Sequence, residues 1–375
     1  MSKLFETSTI NSMLLKNRFV RSATWEGMAS DDGAVTPRLI EAMSALVKGG
    51  VGLIISSHIY ISPEGKATPW QIGIYKDELV EGLQKMTGTV HAMGGKIFAQ
   101  LAHAGQYAME QLTGLPPLVV SKNKQSSSQN DKEITAEDIQ NIVIAYSKAA
   151  TRAKSAGFDG IQIHAAHGYL LNQTLSPAFN QRHDQYGGDI HNRSRLLLEV
   201  YKAVRNTVGR DFPVLVKINN QDFIENGLSF EDFLVTAGLL AEAGIDAIEL
   251  SGGILTSRKM SPSRTGINTE NKEAYFQEEA RAFKEQINIP LILVGGIRSF
   301  SVAERLIAEG VADYISMSRP FIREPHLINR WKNGDLHKST CLSDNKCFIP
   351  AMEGKGIYCV IEEQERSKQK GIRNE

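Results

Sequence analysis

The chain has 375 residues, 42% of them hydrophobic and 22% charged, enough for one large α/β barrel or two average domains. Lysines plus arginines number 42 and so do aspartates plus glutamates, so no charge excess points to nucleic acid or an anionic membrane as partner. The opening MSKLFETSTINSM has no apolar leader core, no run reaches the length of a membrane span, and the three cysteines all follow residue 340, which argues against a disulfide framework and for a cytoplasmic setting.

Eight apolar runs recur along the chain: FVRSAT (19–24), VGLIISS (51–57), KIFAQL (96–101), DGIQIH (159–164), PVLVKI (213–218), DAIELS (246–251), PLILVG (290–295) and ADYISM (312–317). They are continuous rather than alternating, as expected of parallel strands covered on both faces. The stretches between them predict amphipathic helices. TAEDIQNIVIAYSKAATRAKSAG starts at an N-cap, Thr135, with an acid three residues on, and closes at Gly157. SFEDFLVTAGLLAEAG runs from a Ser229 cap to a Gly244 stop, and SFSVAERLIAEG spans 299–310. The longest connection, 102–134, holds Pro116-Pro117 and the polar tract SKNKQSSSQNDKE, the composition of an exposed, mobile excursion. Eight strand–helix units predict a (β/α)8 barrel over residues 1–335, with the excursion after strand three and a C-terminal extension over 336–375. A doubly wound sheet would need a glycine-rich phosphate turn after the first strand, and SATWEGMAS is not one.

In such a barrel the residues just past each strand's C-terminal end line the active site. Here they are Ala23 and Thr24, His58, Gln100 and His103, His164 with His167 and Tyr169, Lys217, Ser251-Gly252-Gly253, Gly295-Gly296, and Ser318-Arg319. The last two units end in VGGIRS and MSRPF, where glycine-freed backbone N–H groups and Arg319 would take a phosphate. A lone strand-end histidine usually bonds backbone, so His103 is read as structural. His164 and His167 have no carboxylate at metal-ligand spacing, and no metal is assigned to them. Lys217 alone fits either a Schiff-base lysine or a fixed cation beside a cofactor. The polar DQYGGDIHNRSR run is read as a hydrogen-bonded latch for the loop after strand four.

The segment HAAHGYLLNQTLSPAFNQRHDQYGGDIHNRSRLLLE (164–199) resembles the signature stretch of the old yellow enzyme family, the FMN-dependent NAD(P)H:flavin oxidoreductases and ene-reductases. LKNRFV, GLIISSH, AQLAHAGQ, VKI, GGIRS and SRPF follow in the family's order, so the resemblance covers roughly residues 3 to 335. It implies an FMN across the barrel mouth, with its phosphate on Gly295, Gly296, Ser318 and Arg319. Gln100 would meet the pyrimidine edge, Lys217 would lie near N1 and O2, and Ala23, Thr24 and His58 would contact the ring. His164 and His167 would address one substrate oxygen and Tyr169 would donate a proton, with NAD(P)H as reductant and a small electrophile as second substrate. The sequence departs from the family at Ala23, where many relatives have proline, and at Trp25, where threonine or cysteine is usual. His58 replaces a small residue. Oligomeric state varies in the family.

Larger relatives carry four cysteines after the barrel for a 4Fe–4S cluster. This chain keeps Cys341, Cys347 and Cys359, with Asp344 near the fourth place. A remnant is the favoured reading over a cluster, because a missing soft ligand weakens the site. The rival functions are a Schiff-base lyase using Lys217, which needs no flavin, and an FMN electron-transfer protein that uses the cluster.

Overall fold

The structure, a computed structural model, describes residues 2–122 and 130–372. The central part of the polar tract, 123–129, lies outside the described residues.

Eight parallel strands close into a barrel. They are β1 (Phe19–Arg21), β2 (Leu53–Tyr60), β3 (Ile97–Ala102), β4 (Gly160–Ala165), β5 (Val214–Asn219), β6 (Ala247–Ser251), β7 (Leu291–Leu293) and β8 (Tyr314–Met317). Each pairs with the next in sequence, and β8 closes on β1. This is the (β/α)8 architecture the eight apolar runs predict. β3, β4 and β5 are buried at every residue, as strands covered on both faces must be. One strand face packs outward on the helices through residues such as Ile54, Ala99 and Val216. The other fills the interior with Val20, Leu53, Phe98, Leu215 and Ile292.

Two predicted strands have different ends. FVRSAT leaves the ladder after Arg21. VGLIISS continues to Tyr60, because an irregularity between Ile55 and His58 lets the strand bend and resume.

An antiparallel hairpin, Ser8–Ile10 with Met13–Leu15, closes the lower end of the barrel. Ile10, Met13 and Leu15 join the interior cluster, and the Asn11 side chain donates to Arg210 O and Asp246 Oδ1, just before β5 and β6 (2.9 Å each). The opposite, C-terminal end is therefore the open mouth.

The helices start and stop where the sequence predicts. Thr135 and Asp138 form a reciprocal capping box on Ala136–Ser155, and Gly157 ends that unit at φ +80°. Ser229 caps Phe230–Glu242. The DQYGGDIHNRSR latch also forms. Buried Arg193 donates to the carbonyl of Leu175 and pairs with Asp232 (2.7 Å), and Arg182 ties Ile134 O (2.7 Å) to Asp184. Among the described residues no helix is long and apolar enough to cross a membrane.

Candidate active site

β4 delivers His164 to the mouth, and the chain turns at once. His167 sits at φ +62° and Gly168 at φ +83°. A histidine in the left-handed region is costly and must be held by its surroundings. The His167 N–H donates to Asn219 Oδ1 (3.2 Å) and the Gly168 N–H to Asn172 Oδ1 (2.6 Å). Asn172 and Asn219 in turn donate to one oxygen of Asp222 (3.1 and 2.9 Å). At 168 only glycine fits, since a Cβ would come 2.6 Å from the Tyr107 ring.

The turn assembles a row of four rings. His58 meets Tyr169 at 5.5 Å between centroids, Tyr169 meets His164 at 5.0 Å, and His164 meets His167 at 5.2 Å, each pair edge-on. The Tyr169 hydroxyl lies 3.2 Å from His58 Nε2, and His167 Nε2 lies 2.8 Å from Ser251 Oγ. Among the described residues the buried His164 Nδ1 has no hydrogen-bond partner, a polar atom left for a ligand. Burial holds His164 and His167 well below the ordinary histidine range, with Lys217 and His58 adding to the effect. Burial likewise pushes His58 down to about 4 and the Tyr169 phenol up. The three imidazoles are therefore neutral near pH 7, and each keeps one N–H.

Below the rings runs a buried polar chain. Gln100 Nε2 donates to Gln162 Oε1 (2.7 Å), and Gln162 Nε2 to Glu249 Oε2 (2.8 Å). Glu249 Oε1 accepts from Ser22 (2.7 Å), Ser316 (2.8 Å) and Lys217 Nζ (3.3 Å). Burial alone would raise the Glu249 carboxyl, but Lys217 and the three other donors outweigh it and hold it below the usual carboxylate range. Gln162, Glu249, Ser22 and Ser316 are not among the strand-end residues that the sequence predicts for the site. The visible signal is a polar residue inside an otherwise apolar run, Gln162 in DGIQIH and Glu249 in DAIELS.

The far side of the mouth is built from backbone and arginine. Gly295 and Gly296 follow β7 at φ +144° and +74°, and a Cβ on Gly296 would come 2.8 Å from the Tyr275 ring. Gly296, Ser316, Ser318, Arg298 and Arg319 help to line a cavity of about 50 Å³ that has no carboxylate in its wall. That donor set suits the phosphate of an FMN. Four of its members are already engaged: Ser316 Oγ donates to Glu249, Arg298 donates to the carbonyls of Ile267 and Ser339, Ser318 Oγ pairs with Thr24 Oγ1 (2.7 Å) and Arg319 Nη1 donates to Asn345 Oδ1 (2.7 Å). Asn345 belongs to the C-terminal extension and carries no sequence signal of this role. Ala23 is half-buried beside the barrel interior. Trp25 packs under Gly27, its buried indole N–H without a partner among the described residues. His103 is buried, accepts the Gly105 N–H through Nδ1 (3.0 Å) and faces Glu64 at 3.8 Å, the structural place expected of it.

The three cysteines line one small cavity beside Arg319 and Arg323. Burial pushes the Cys341 thiol up and the Cys347 thiol to about 12, and Arg323 Nη1 donates to Cys359 Sγ (3.6 Å). Asp344 accepts the Lys346 N–H (3.2 Å). Among the described residues no group of three or more His, Cys, Asp or Glu side chains is placed to hold a metal ion.

The sequence model of the NADH:flavin oxidoreductase / NADH oxidase family matches residues 3–337. The chain belongs to this family. It is 34% identical to the NADH oxidase of Thermoanaerobacter brockii over 96% of its own length and 58% of that protein's. It is 36% identical to the NADPH dehydrogenase of Bacillus subtilis over 86% of its length and 92% of that protein's. Among solved structures, a 2-naphthoyl-CoA reductase complex superposes with a TM-score of 0.88 at 28% identity, covering 95% of this chain and 56% of that one. An old yellow enzyme homologue from Zymomonas mobilis gives 0.76 at 29% identity, covering 91% and 95%. The chain thus spans between half and three-fifths of the length of the first two curated relatives it matches. Membership places it in a family of FMN-dependent oxidoreductases and argues against the Schiff-base lyase reading of Lys217.

Proposed function

We propose that this family member is an ene-reductase-like enzyme that moves hydride from NADH or NADPH to an activated alkene, or to a related electrophile bearing a carbonyl or nitro group. The observation that carries the reading is the pair of neutral imidazoles, His164 and His167, 5.2 Å apart at the end of β4 beside a buried phenol. The likeness to a 2-naphthoyl-CoA reductase supports a conjugated carbonyl as the electrophile.

Bound FMN would supply the hydride relay between the two substrates. Gly295, Gly296, Ser318 and Arg319 would hold its phosphate, and Ala23, Thr24, His58, Gln100 and Lys217 would line its ring. The ammonium of Lys217 sets a fixed positive charge at that edge. Hydride arriving at the β-carbon of an enone leaves negative charge on the carbonyl oxygen. His164 and His167 would direct N–H donors there in advance, His167 through Nδ1 with its Nε2 accepting from Ser251, and Tyr169 would give its proton to the α-carbon. Both substrates share one mouth, so ping-pong kinetics are expected. The barrel of 1–335 would carry all of this, with 336–375 closing the phosphate side.

The test is an absorption spectrum of the purified protein before and after anaerobic NADH or NADPH. Flavin bands that bleach, and recover on adding 2-cyclohexen-1-one, are the expected result. A colourless protein that takes up no FMN would overturn the reading.

A further inference from the structure

β2 brings the fourth ring to the mouth by an irregular route. Its pairing with β3 is regular to Ile55, slips across Ser56 and Ser57, and resumes at His58 opposite Gln100. Ser56 Oγ fills the slip by accepting the Gln100 N–H (3.2 Å), and Gln71 Nε2 pins the His58 carbonyl (2.9 Å). Irregularities of this kind re-aim a side chain. Here the imidazole is aimed at Tyr169, with Nε2 3.2 Å from the hydroxyl. His164 touches the same phenol ring edge-on, while the hydroxyl's hydrogen bond goes to His58. A buried phenol that gives up its proton becomes a phenolate in a site that disfavours it. It needs a donor at its oxygen and a way to recover the proton.

Resting on the proton-donor reading of Tyr169, we propose that His58 is the positioning residue of that phenol, holding its hydroxyl, stabilising the phenolate and returning a solvent proton to it. The proton count closes. The Oη–H bond breaks as the α-carbon C–H bond forms, while His58 donates Nε2–H to the phenolate oxygen. A proton from water then adds at Nδ1 as the Nε2 proton passes to the phenolate. Phenol is restored, the imidazole stays neutral as its other tautomer, and exchange with water resets it. No electrons are transferred in this step.

The experiment compares wild type, Tyr169→Phe, His58→Ala, His58→Gln and the His58→Ala/Tyr169→Phe double variant as FMN-loaded enzymes with 2-cyclohexen-1-one. Stopped-flow reads the alkene step and the NADPH step separately. His58→Ala is expected to slow the alkene step about tenfold or more, the loss of one hydrogen bond to a charged group, and far more than the NADPH step. The double variant should be no slower than Tyr169→Phe, and His58→Gln, which keeps an amide N–H, should recover part of the single-turnover rate. Added imidazole should raise steady-state turnover of His58→Ala but not of the double variant, a rescue that a merely structural role would not show. In the ¹⁵N-labelled protein, the His58 ring signals should shift on Tyr169→Phe. If Tyr169→Phe leaves the alkene step unchanged, the underlying function reading fails. If Tyr169→Phe slows it while His58→Ala does not, or the two losses multiply in the double variant, the role of His58 is refuted.

Discussion

The two sides of the barrel mouth are built on opposite plans. On the β2–β4 side, side chains do the work: four rings touch one another in a row, and buried amides and a carboxylate hold their turn. On the β7–β8 side, the groups are glycine backbone and arginine, and a segment beyond the barrel completes them. Asn345 joins Arg319 to the carbonyl of Ser263 (2.8 Å), the Ser343 carbonyl accepts the Gly266 N–H (3.2 Å), and Arg298 donates to Ser339 O (2.7 Å). The difference follows from what each side has to recognise. A developing charge on one oxygen needs fixed, neutral donors in a dry site, because their placement before the reaction is what lowers the barrier. A permanent phosphate dianion needs only net positive charge and free N–H groups, which a loop and a tail can supply.

The strongest way to break this division is to cut what joins the sides. Lys217 is 2% exposed and pairs with a Glu249 that has no exposed surface. Lys217→Met would strand that carboxylate, at a cost of about 3–5 kcal/mol in denaturant unfolding. Adding Glu249→Gln should recover most of the loss. If Lys217→Met alone is neutral, the chain under the mouth is not an ion-paired network.

Next in size is the ring side alone. His164→Ala and His167→Ala should each cost about 2.7–4 kcal/mol of barrier in the alkene step, while FMN binding persists. Equal loss in the NADPH step would assign the histidines to the cofactor or to both substrates, and would end their claim to the substrate oxygen.

The same contrast explains what could be read in the sequence. The barrel was legible because parallel strands buried on both faces leave continuous apolar runs, and the helices because Thr135, Ser229 and Gly157 are local punctuation. His164, His167 and Tyr169 were legible because one short turn carries all three. What escaped depends on closure of the barrel. Ser22 and Glu249 lie 227 positions apart and meet only because β8 returns to β1. Asn172, Asn219 and Asp222 look like ordinary loop polarity until the His167 backbone needs them. Asn345 was hidden for the opposite reason, since its tail has no periodic pattern from which a contact could be inferred.

Two glycines offer a matched, smaller test. Gly168 and Gly296 both sit at positive φ, and at each a Cβ would press on a tyrosine ring, at 2.6 Å from Tyr107 and 2.8 Å from Tyr275. The left-handed backbone alone costs an alanine about 1–2 kcal/mol. Gly168→Ala should misplace Tyr169 and slow the alkene step with FMN affinity kept. Gly296→Ala should weaken FMN binding, read by fluorescence of released flavin, with smaller effect on the rate of the loaded enzyme. If both variants lose the same property, the two sides are not separate.

The smallest effect is on acid stability, and its sign follows from the imidazoles. His58, His164 and His167 have folded-state values below the ordinary histidine value of about 6.5, so the unfolded chain takes up protons first. The stability tied to their neutrality is complete above that value and is lost as pH falls from there, down to about 4 for His58. Glu64 beside His103 behaves as a second, lower step. Burial would raise its carboxyl, but the His103 imidazole 3.8 Å away prevails, with the Glu64 backbone N–H adding to it, and brings it down to about 2. Its contribution therefore survives to the ordinary carboxylate value and is lost between there and about pH 2. Denaturant midpoints measured against pH should fall in these two successive windows. His58→Gln should flatten part of the upper one and Glu64→Gln the lower one. A stability that stays level from pH 7 to pH 4 would mean that the ring side accepts charge without penalty, and the dry, neutral character assigned to it would be wrong.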